Sequence, residues 1–137
     1  MQHNPDKVLE GKKILLTDDD LRNTFALSKL LKSHGMEVVI ADNGEMALEK
    51  LATEQNIELI LMDIMMPIMD GYEAITKIRI LDNVKHLPII ALTARAMPEE
   101  QEKCLTAGAN DYLTKPVDID KLLTLMRVLL FKQEKVA

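Results

Sequence analysis

Ile14-Leu15-Leu16-Thr17-Asp18-Asp19-Asp20 is an apolar run that stops on three successive carboxylates. So short an apolar run reads as a buried strand, and the aspartates mark where the chain leaves the interior. The same construction returns three times: Leu59–Met62 ends at Asp63, Ile89–Leu92 at Thr93, and Tyr112–Thr114 at Lys115. If these runs are parallel strands of one sheet, their terminal polar groups meet along its carboxyl edge. Carboxylates with one hydroxyl and one ammonium are suited to hold a divalent cation and a phosphoryl group.

The segments between the runs carry helical periodicity. Leu21 to His34 reads as a helix, with Ala26, Leu27, Leu30 and Leu31 at helical spacing and Gly35 as the stop. Met36–Ala41 is a second strand, Asp42 or Asn43 caps a helix to about Thr53, and Glu58–Met62 is the third strand. Pro67 delays the next helix until Asp70-Gly71-Tyr72-Glu73, a capping-box pattern with Asp70 capping and Glu73 reaching back. That helix runs to about Leu81, and Pro88–Leu92 follows as a strand. Pro98-Glu99-Glu100 opens another helix, with acids at the positive end of its dipole, which stops near Gly108. Asp111–Thr114 is the fifth strand, and Asp118 caps a last helix with Leu122, Leu125, Met126 and Leu129 on one face.

Five repeats of apolar strand then helix imply an α/β fold, a doubly wound parallel sheet covered on both faces with right-handed crossovers. A flavodoxin-like order 2-1-3-4-5 and a Rossmann half are the two candidates. The first places its switch-point crevice between strands one and three, where Asp18, Asp19 and Asp63 come together. The expectation is one domain over residues 1–137, with its core at about 12–131 and polar ends at 1–11 and 132–137.

Composition narrows the function. The 137 residues carry a formal net charge of −5 and 3% aromatic residues, with no basic cluster, which argues against a nucleic-acid surface. No apolar run approaches a membrane span and the first residues lack a signal-peptide pattern, so a cytoplasmic location is expected. Cys104 is alone and reads as a small apolar helix residue. Met62, Met65, Met66 and Met69 read as core and loop filling rather than a metal box, and His3, His34 and His86 lie scattered away from the acidic crevice. Each polar strand end also has a plain explanation: Asp20 as a helix cap, Thr93 as a helix entry, Lys115 as a surface lysine. Their joint placement at four of five strand ends is what argues for chemistry.

Three carboxylates in one crevice repel unless their pKa values rise or a cation sits among them. Magnesium takes one or two carboxylates plus phosphate oxygens, so Asp19 and Asp63 fit as direct ligands, with Asp18 binding directly or through water. An exposed strand-end aspartate beside such a cation is a competent nucleophile towards phosphorus. Lys115 and Thr93 supply the ammonium and the hydroxyl that phosphoryl oxygens require.

The stretches Ile14–Asp20, Leu61–Gly71, Ala91–Ala94 and Ala107–Pro116 together resemble the response-regulator receiver domain of two-component signalling, over about residues 12–131. The resemblance implies a flavodoxin-like fold in which Asp63 accepts a phosphoryl group from a histidine of a partner, with Mg2+ or Mn2+ as cofactor. The partner would be a histidine kinase or a histidine phosphotransfer protein. Asp18 and Asp19 resemble the family's acidic metal pair, and the carbonyl of Met65 corresponds to its main-chain metal ligand. Lys115, Thr93 and Ala94 would contact the phosphoryl group, and the Lys115-Pro116 peptide is expected to be cis. Thr93 and Tyr112 look like the switch pair, with an output surface at about residues 97–131. Met65 and Arg95 flank the path of the attacking water in the family; Met65 brings no base, and Arg95 could pair with or shield the phosphoryl group, so slow self-dephosphorylation is expected. The run from Asp18 to Leu27 resembles receivers of hybrid sensor kinases. The chain ends after a fifth helix, so the expectation is a stand-alone receiver or one cut from a longer hybrid kinase.

Three rivals separate from this reading on residues. Asp18-x-Asp20 also resembles haloacid-dehalogenase-like phosphohydrolases, in which Asp18 and not Asp63 would carry the phosphoryl group. A flavin-binding flavodoxin would need a Ser/Thr/Gly-rich phosphate loop where this chain has aspartates. A receiver acting only as a docking module would keep the fold without phosphorylation.

Overall fold

The computed structural model describes residues 7–136, so His3 lies outside it. Ten elements alternate along the chain: β1 Lys13–Thr17, α1 Leu21–Ser33, β2 Glu37–Ala41, α2 Gly44–Thr53, β3 Ile57–Asp63, α3 Gly71–Ile78, β4 Ile89–Thr93, α4 Pro98–Ala107, β5 Asp111–Thr114 and α5 Ile119–Val136. The five strands form one parallel sheet in the order β2-β1-β3-β4-β5, the doubly wound flavodoxin-like arrangement.

The three central strands, β1, β3 and β4, are buried on both faces, which is why they read as continuous apolar runs and not as alternating ones; the edge strands β2 and β5 are only partly buried. Alternate residues serve opposite layers. Leu15, Ile60, Met62, Ile89 and Ala91 pack with Ala47 and Leu51 of α2, Ala74, Ile75 and Ile78 of α3, and Cys104 of α4. Ile14, Leu16, Leu59, Leu61, Ile90 and Leu92 pack with Leu31 of α1 and Leu122, Leu123, Met126 and Leu130 of α5. Each fully buried Leu or Ile contributes roughly 1.5–3 kcal/mol.

The sequence reading departs from the structure where burial depends on tertiary placement. The buried residues of α1 are Thr24, Ser28 and Leu31; Ala26 is exposed, and Leu27 and Leu30 are only half-buried. Small polar residues suit that face because the Thr24 hydroxyl donates back to the carbonyl of Asp20, at 3.0 Å, so it enters the interior satisfied. On α5 the deeply buried set is Leu122, Leu123, Met126 and Leu130, with Leu125 and Leu129 flanking it. The polar segment after residue 131 continues α5 and does not leave the fold as a separate end. Leu9, in the stretch read as a polar end, is fully buried against the α1–α5 layer.

Caps explain the helix starts. Asp20, Asn43 and Asp70 each accept a hydrogen bond from a first-turn backbone amide of α1, α2 and α3. Glu73 does not complete a capping box in the expected way; its carboxylate lies 3.6 Å from Lys77, one turn on. α3 ends at Ile78, three residues before the expected stop, and closes in a tighter turn in which the Ile80 and Leu81 amides donate to the Lys77 and Ile78 carbonyls; the Arg79 side chain reaches elsewhere. Its guanidinium donates to the carbonyls of Gly108 (2.8 Å), Lys85 (2.9 Å) and Leu87 (2.6 Å) and to Asn110 Oδ1 (2.8 Å). One side chain thus ties the end of α3 to the β4 approach and to the turn between α4 and β5. A Cβ at Gly108, where φ is +123°, would meet Arg79 Cγ at 2.7 Å, so this close packing requires glycine.

Candidate functional site

Strand register builds the site. Thr17 lies opposite Met62, so Asp18 and Asp63 emerge side by side from β1 and β3. Thr93 lies opposite Thr114, so Lys115 leaves β5 next to the end of β4. The Lys115 ammonium bridges the two acids, 3.2 Å from Asp18 Oδ2 and 3.1 Å from Asp63 Oδ2. The Lys115 amide donates to the Thr93 carbonyl at 2.7 Å, which fixes the backbone from which the side chain reaches over. The Lys115-Pro116 peptide is cis.

The second oxygen of each acid is held by its own loop. Asp18 Oδ1 accepts from the Asp20 amide at 2.9 Å, and Asp63 Oδ1 from the Met65 amide at 3.3 Å. Both carboxylates are buried while Asp19 is exposed. Ligand atoms of Asp18, Asp19 and Asp63 all lie within 4.8 Å of one another. Burial, with the Asp18 carboxylate beside it, pushes the Asp63 carboxyl up to about 6 against the pull of Lys115. Burial works against the Lys115 charge, but Asp63 and Asp18 outweigh it and raise its pKa. A single ammonium therefore leaves two buried carboxylates and one exposed one under-compensated. Hard oxygen donors carrying that excess of negative charge fit a magnesium-type cation, so the residues present suit the metal.

The remaining sequence candidates divide. The Thr93 side chain is buried, and its hydroxyl donates to the carbonyl of Arg95 at 2.8 Å, turned into its own loop. Ala94 and Arg95 are exposed on that loop, and Met65 is 70% exposed beside the acids. Tyr112 is half-buried against the α2–α3–α4 layer. His34 caps the far end of α1 and His86 is an exposed loop residue, so neither joins the site.

Two features here escaped the sequence reading. Gly71 packs against the acceptor strand: its amide donates to the Ile64 carbonyl at 2.9 Å, and a Cβ there would run into the backbone of Asp63 and reach Ile64 Cα at 2.7 Å. The Asp70-Gly71 pair after Pro67 was the available signal. Ile68, in the same loop, has φ +69°, a left-handed conformation that a β-branched side chain adopts only under strain. No local sequence pattern marks it.

The comparisons agree with this geometry. Residues 14–127 match the model of the response regulator receiver domain, and the chain belongs to that family. It is 39% identical over 118 residues to the sensor histidine kinase GacS of Pseudomonas protegens; the match takes in 82% of this chain and 13% of that protein. The chain thus spans a small part of the curated kinases it matches. Among solved structures, the receiver domain of sensor histidine kinase PA1611 from Pseudomonas aeruginosa, with a magnesium ion coordinated in its active-site cleft, superposes with a TM-score of 0.80 at 38% identity. That match covers 88% of this chain and 98% of the other. The receiver domain of Ssk1 from Saccharomyces cerevisiae, crystallised with the histidine phosphotransfer protein Ypd1, gives a TM-score of 0.81 at 30% identity, covering 90% and 92% of the two chains. Family membership removes the phosphohydrolase and flavodoxin readings. No helix among the described residues is long and apolar enough to cross a membrane.

Proposed function

We propose that Asp63 accepts a phosphoryl group from a phosphohistidine of a partner, a histidine kinase or a histidine phosphotransfer protein. An Asp63 carboxylate oxygen attacks phosphorus, the P–O bond forms as the P–N bond to the imidazole breaks, and the leaving nitrogen regains a proton from solvent. The observation that carries this reading is the Asp63 carboxylate at the end of β3, 3.1 Å from the Lys115 ammonium and within a three-carboxylate cluster. Asp18, Asp19, Asp63 and the Met65 carbonyl would hold Mg2+ or Mn2+. The metal, when bound, offsets charge on the phosphoryl oxygens and the carboxylates. Lys115 would do the same with its ammonium, and the Thr93 hydroxyl and Ala94 amide would donate to the phosphoryl oxygens.

The domain acts as a signalling receiver, not as a turnover enzyme, and is read as one domain with its core at about 12–131. Turning the Thr93 hydroxyl from Arg95 towards the phosphoryl group would couple to an inward move of Tyr112 and change the α4–β5–α5 surface. Exposed Met65 offers no base for an attacking water, and the Arg95 cation on the loop after β4 could pair with or shield the phosphoryl group, which supports slow self-dephosphorylation; an unchanged decay rate in Met65→Asn and Arg95→Glu would contradict that. A cytoplasmic location fits the partners proposed.

The test is mass spectrometry after incubation with acetyl phosphate, with and without magnesium, on wild type and Asp63→Asn. One magnesium-dependent adduct on Asp63, absent from the variant, is the expected result. Labelling at Asp18, or labelling that survives in Asp63→Asn, would sink the proposal.

A further inference from the structure

α4 buries little of itself against the fold. Cys104 is its one buried residue, and its N-cap, Met97, makes no side-chain cap hydrogen bond. One side chain of α3, Tyr72, engages its first turns. The Tyr72 hydroxyl donates to Glu100 Oε1, Lys103 Nζ stands 4.9 Å from the centre of the Tyr72 ring, and the Cys104 thiol lies beside the phenol. Glu100, Lys103 and Cys104 share one helix face at i, i+3 and i+4, so Tyr72 engages that face over a full turn. A phenol donating to a carboxylate is the charge-assisted kind of hydrogen bond. Burial and Glu100 both keep the phenol protonated, well above its ordinary range.

Each end of this tether is linked through the chain to the phosphoryl site. Tyr72 follows Gly71, which packs without room for a Cβ against the backbone of Asp63 and Ile64. Glu100 lies three residues beyond Met97, the last residue of the exposed loop 94–97. That loop contains the Arg95 carbonyl that holds the Thr93 hydroxyl. The loop is also joined to α4 by the Gln101 amide, which donates to the Met97 carbonyl at 3.1 Å, and by a long contact of 3.5 Å from Gln101 Nε2 to the Ala96 carbonyl. The loop is thus carried by the first turns of α4, the turns that Tyr72 holds at Glu100.

We infer that Tyr72 is a positioning residue of the phosphoryl site: through Glu100 it holds α4 and loop 94–97 in the arrangement that commits the Thr93 hydroxyl to Arg95. The inference rests on Asp63 being the acceptor. Removing the Tyr72 hydroxyl frees the loop, raises the population in which Thr93 turns to the acceptor, and speeds phosphorylation.

The test compares wild type, Tyr72→Phe, Glu100→Gln and the double variant by two measurements. The first is amide hydrogen exchange of residues 94–107 in the unmodified protein. The second is the initial rate of Asp63 adduct formation from acetyl phosphate with magnesium. Tyr72→Phe keeps the ring and its packing, and is expected to raise both exchange and rate about three- to tenfold. Glu100→Gln should act in the same direction, and the double variant should match Tyr72→Phe, since both changes cut one tether. Faster exchange with an unchanged labelling rate would reduce Tyr72 to a packing residue and overturn the inference, as would unchanged exchange. Absence of any Asp63 adduct in wild type would be a different failure, that of the acceptor reading, and would remove the positioning role with it.

Discussion

The two ends of the sheet solve opposite electrostatic problems. At the amino end, Lys12 pairs with Glu58 at 3.5 Å, and Lys13 with Glu54 at 2.9 Å, while Lys13 also donates to the Gln55 carbonyl. Charges there are paired in partly wetted positions, and Lys13 holds the Glu54 carboxyl below its ordinary range. At the carboxyl end, Lys115 is the one cation among the described residues paired with Asp18 and Asp63, both buried, with Asp19 outside them. The same strands thus carry a compensated end and a frustrated one. Negative charge left in excess is a standing attraction for a cation and a standing cost to stability.

Breaking the lone compensation should have the largest effect. Lys115→Met leaves two buried carboxylates without their cation and is expected to cost about 2–3 kcal/mol at pH 7, read by chemical denaturation. Relieving the crowding should act the other way. Asp63→Asn is expected to stabilise the metal-free protein at pH 7 by about 1–2 kcal/mol. Its pH signature follows from the raised pKa: folded Asp63 keeps its proton up to about pH 6, whereas the unfolded group loses it near 3.8. Between those values the folded state binds more protons, so this group's contribution to stability declines as pH rises through that window. Asp63→Asn should flatten the decline, and a stability that instead climbs from pH 4 to 6 through this residue would refute the assignment. A smaller effect is expected from strain in the acceptor loop. Ile68→Gly removes the left-handed penalty and should stabilise by about 0.5–1 kcal/mol, the entropy of glycine offsetting part of the relief. Smallest of all, Lys13→Gln at the matched end should move Tm by less than about 3 °C.

Strand order and the acidic crevice were legible in the sequence for one reason. Doubly buried strands are apolar throughout, so each polar residue that ends one, Asp18, Asp63 or Thr93, stands out against its run; Lys115 follows the partly buried edge strand β5 and stood out through Pro116 beside it. Asp20 and Asp70 were legible as caps because capping chemistry is local. Leu9 was hidden because one leucine among polar neighbours has no period, and its burial depends on α1 and α5 closing over it. The inner face of α1 was misassigned because Thr24 and Ser28 enter the core by satisfying their hydroxyls or by small size, which hydrophobic spacing does not register. Tyr72 with Glu100, and Arg79 with Asn110, join positions 28 and 31 residues apart. Such pairs arise only when the crossovers have set the helices side by side.

Arg79 has a practical consequence. It grips the segment before β4 by main-chain carbonyls, at Lys85 and Leu87, and ignores the side chains between. Asp82 and Asn83 project into solvent on that segment, beside an anchorage that does not read their identity. They lie at the amino end of β4, a strand's length from Asp63. A cysteine at Asn83 is therefore a natural attachment point for a fluorophore or a surface tether, one that leaves the opposite edge free to meet its partner.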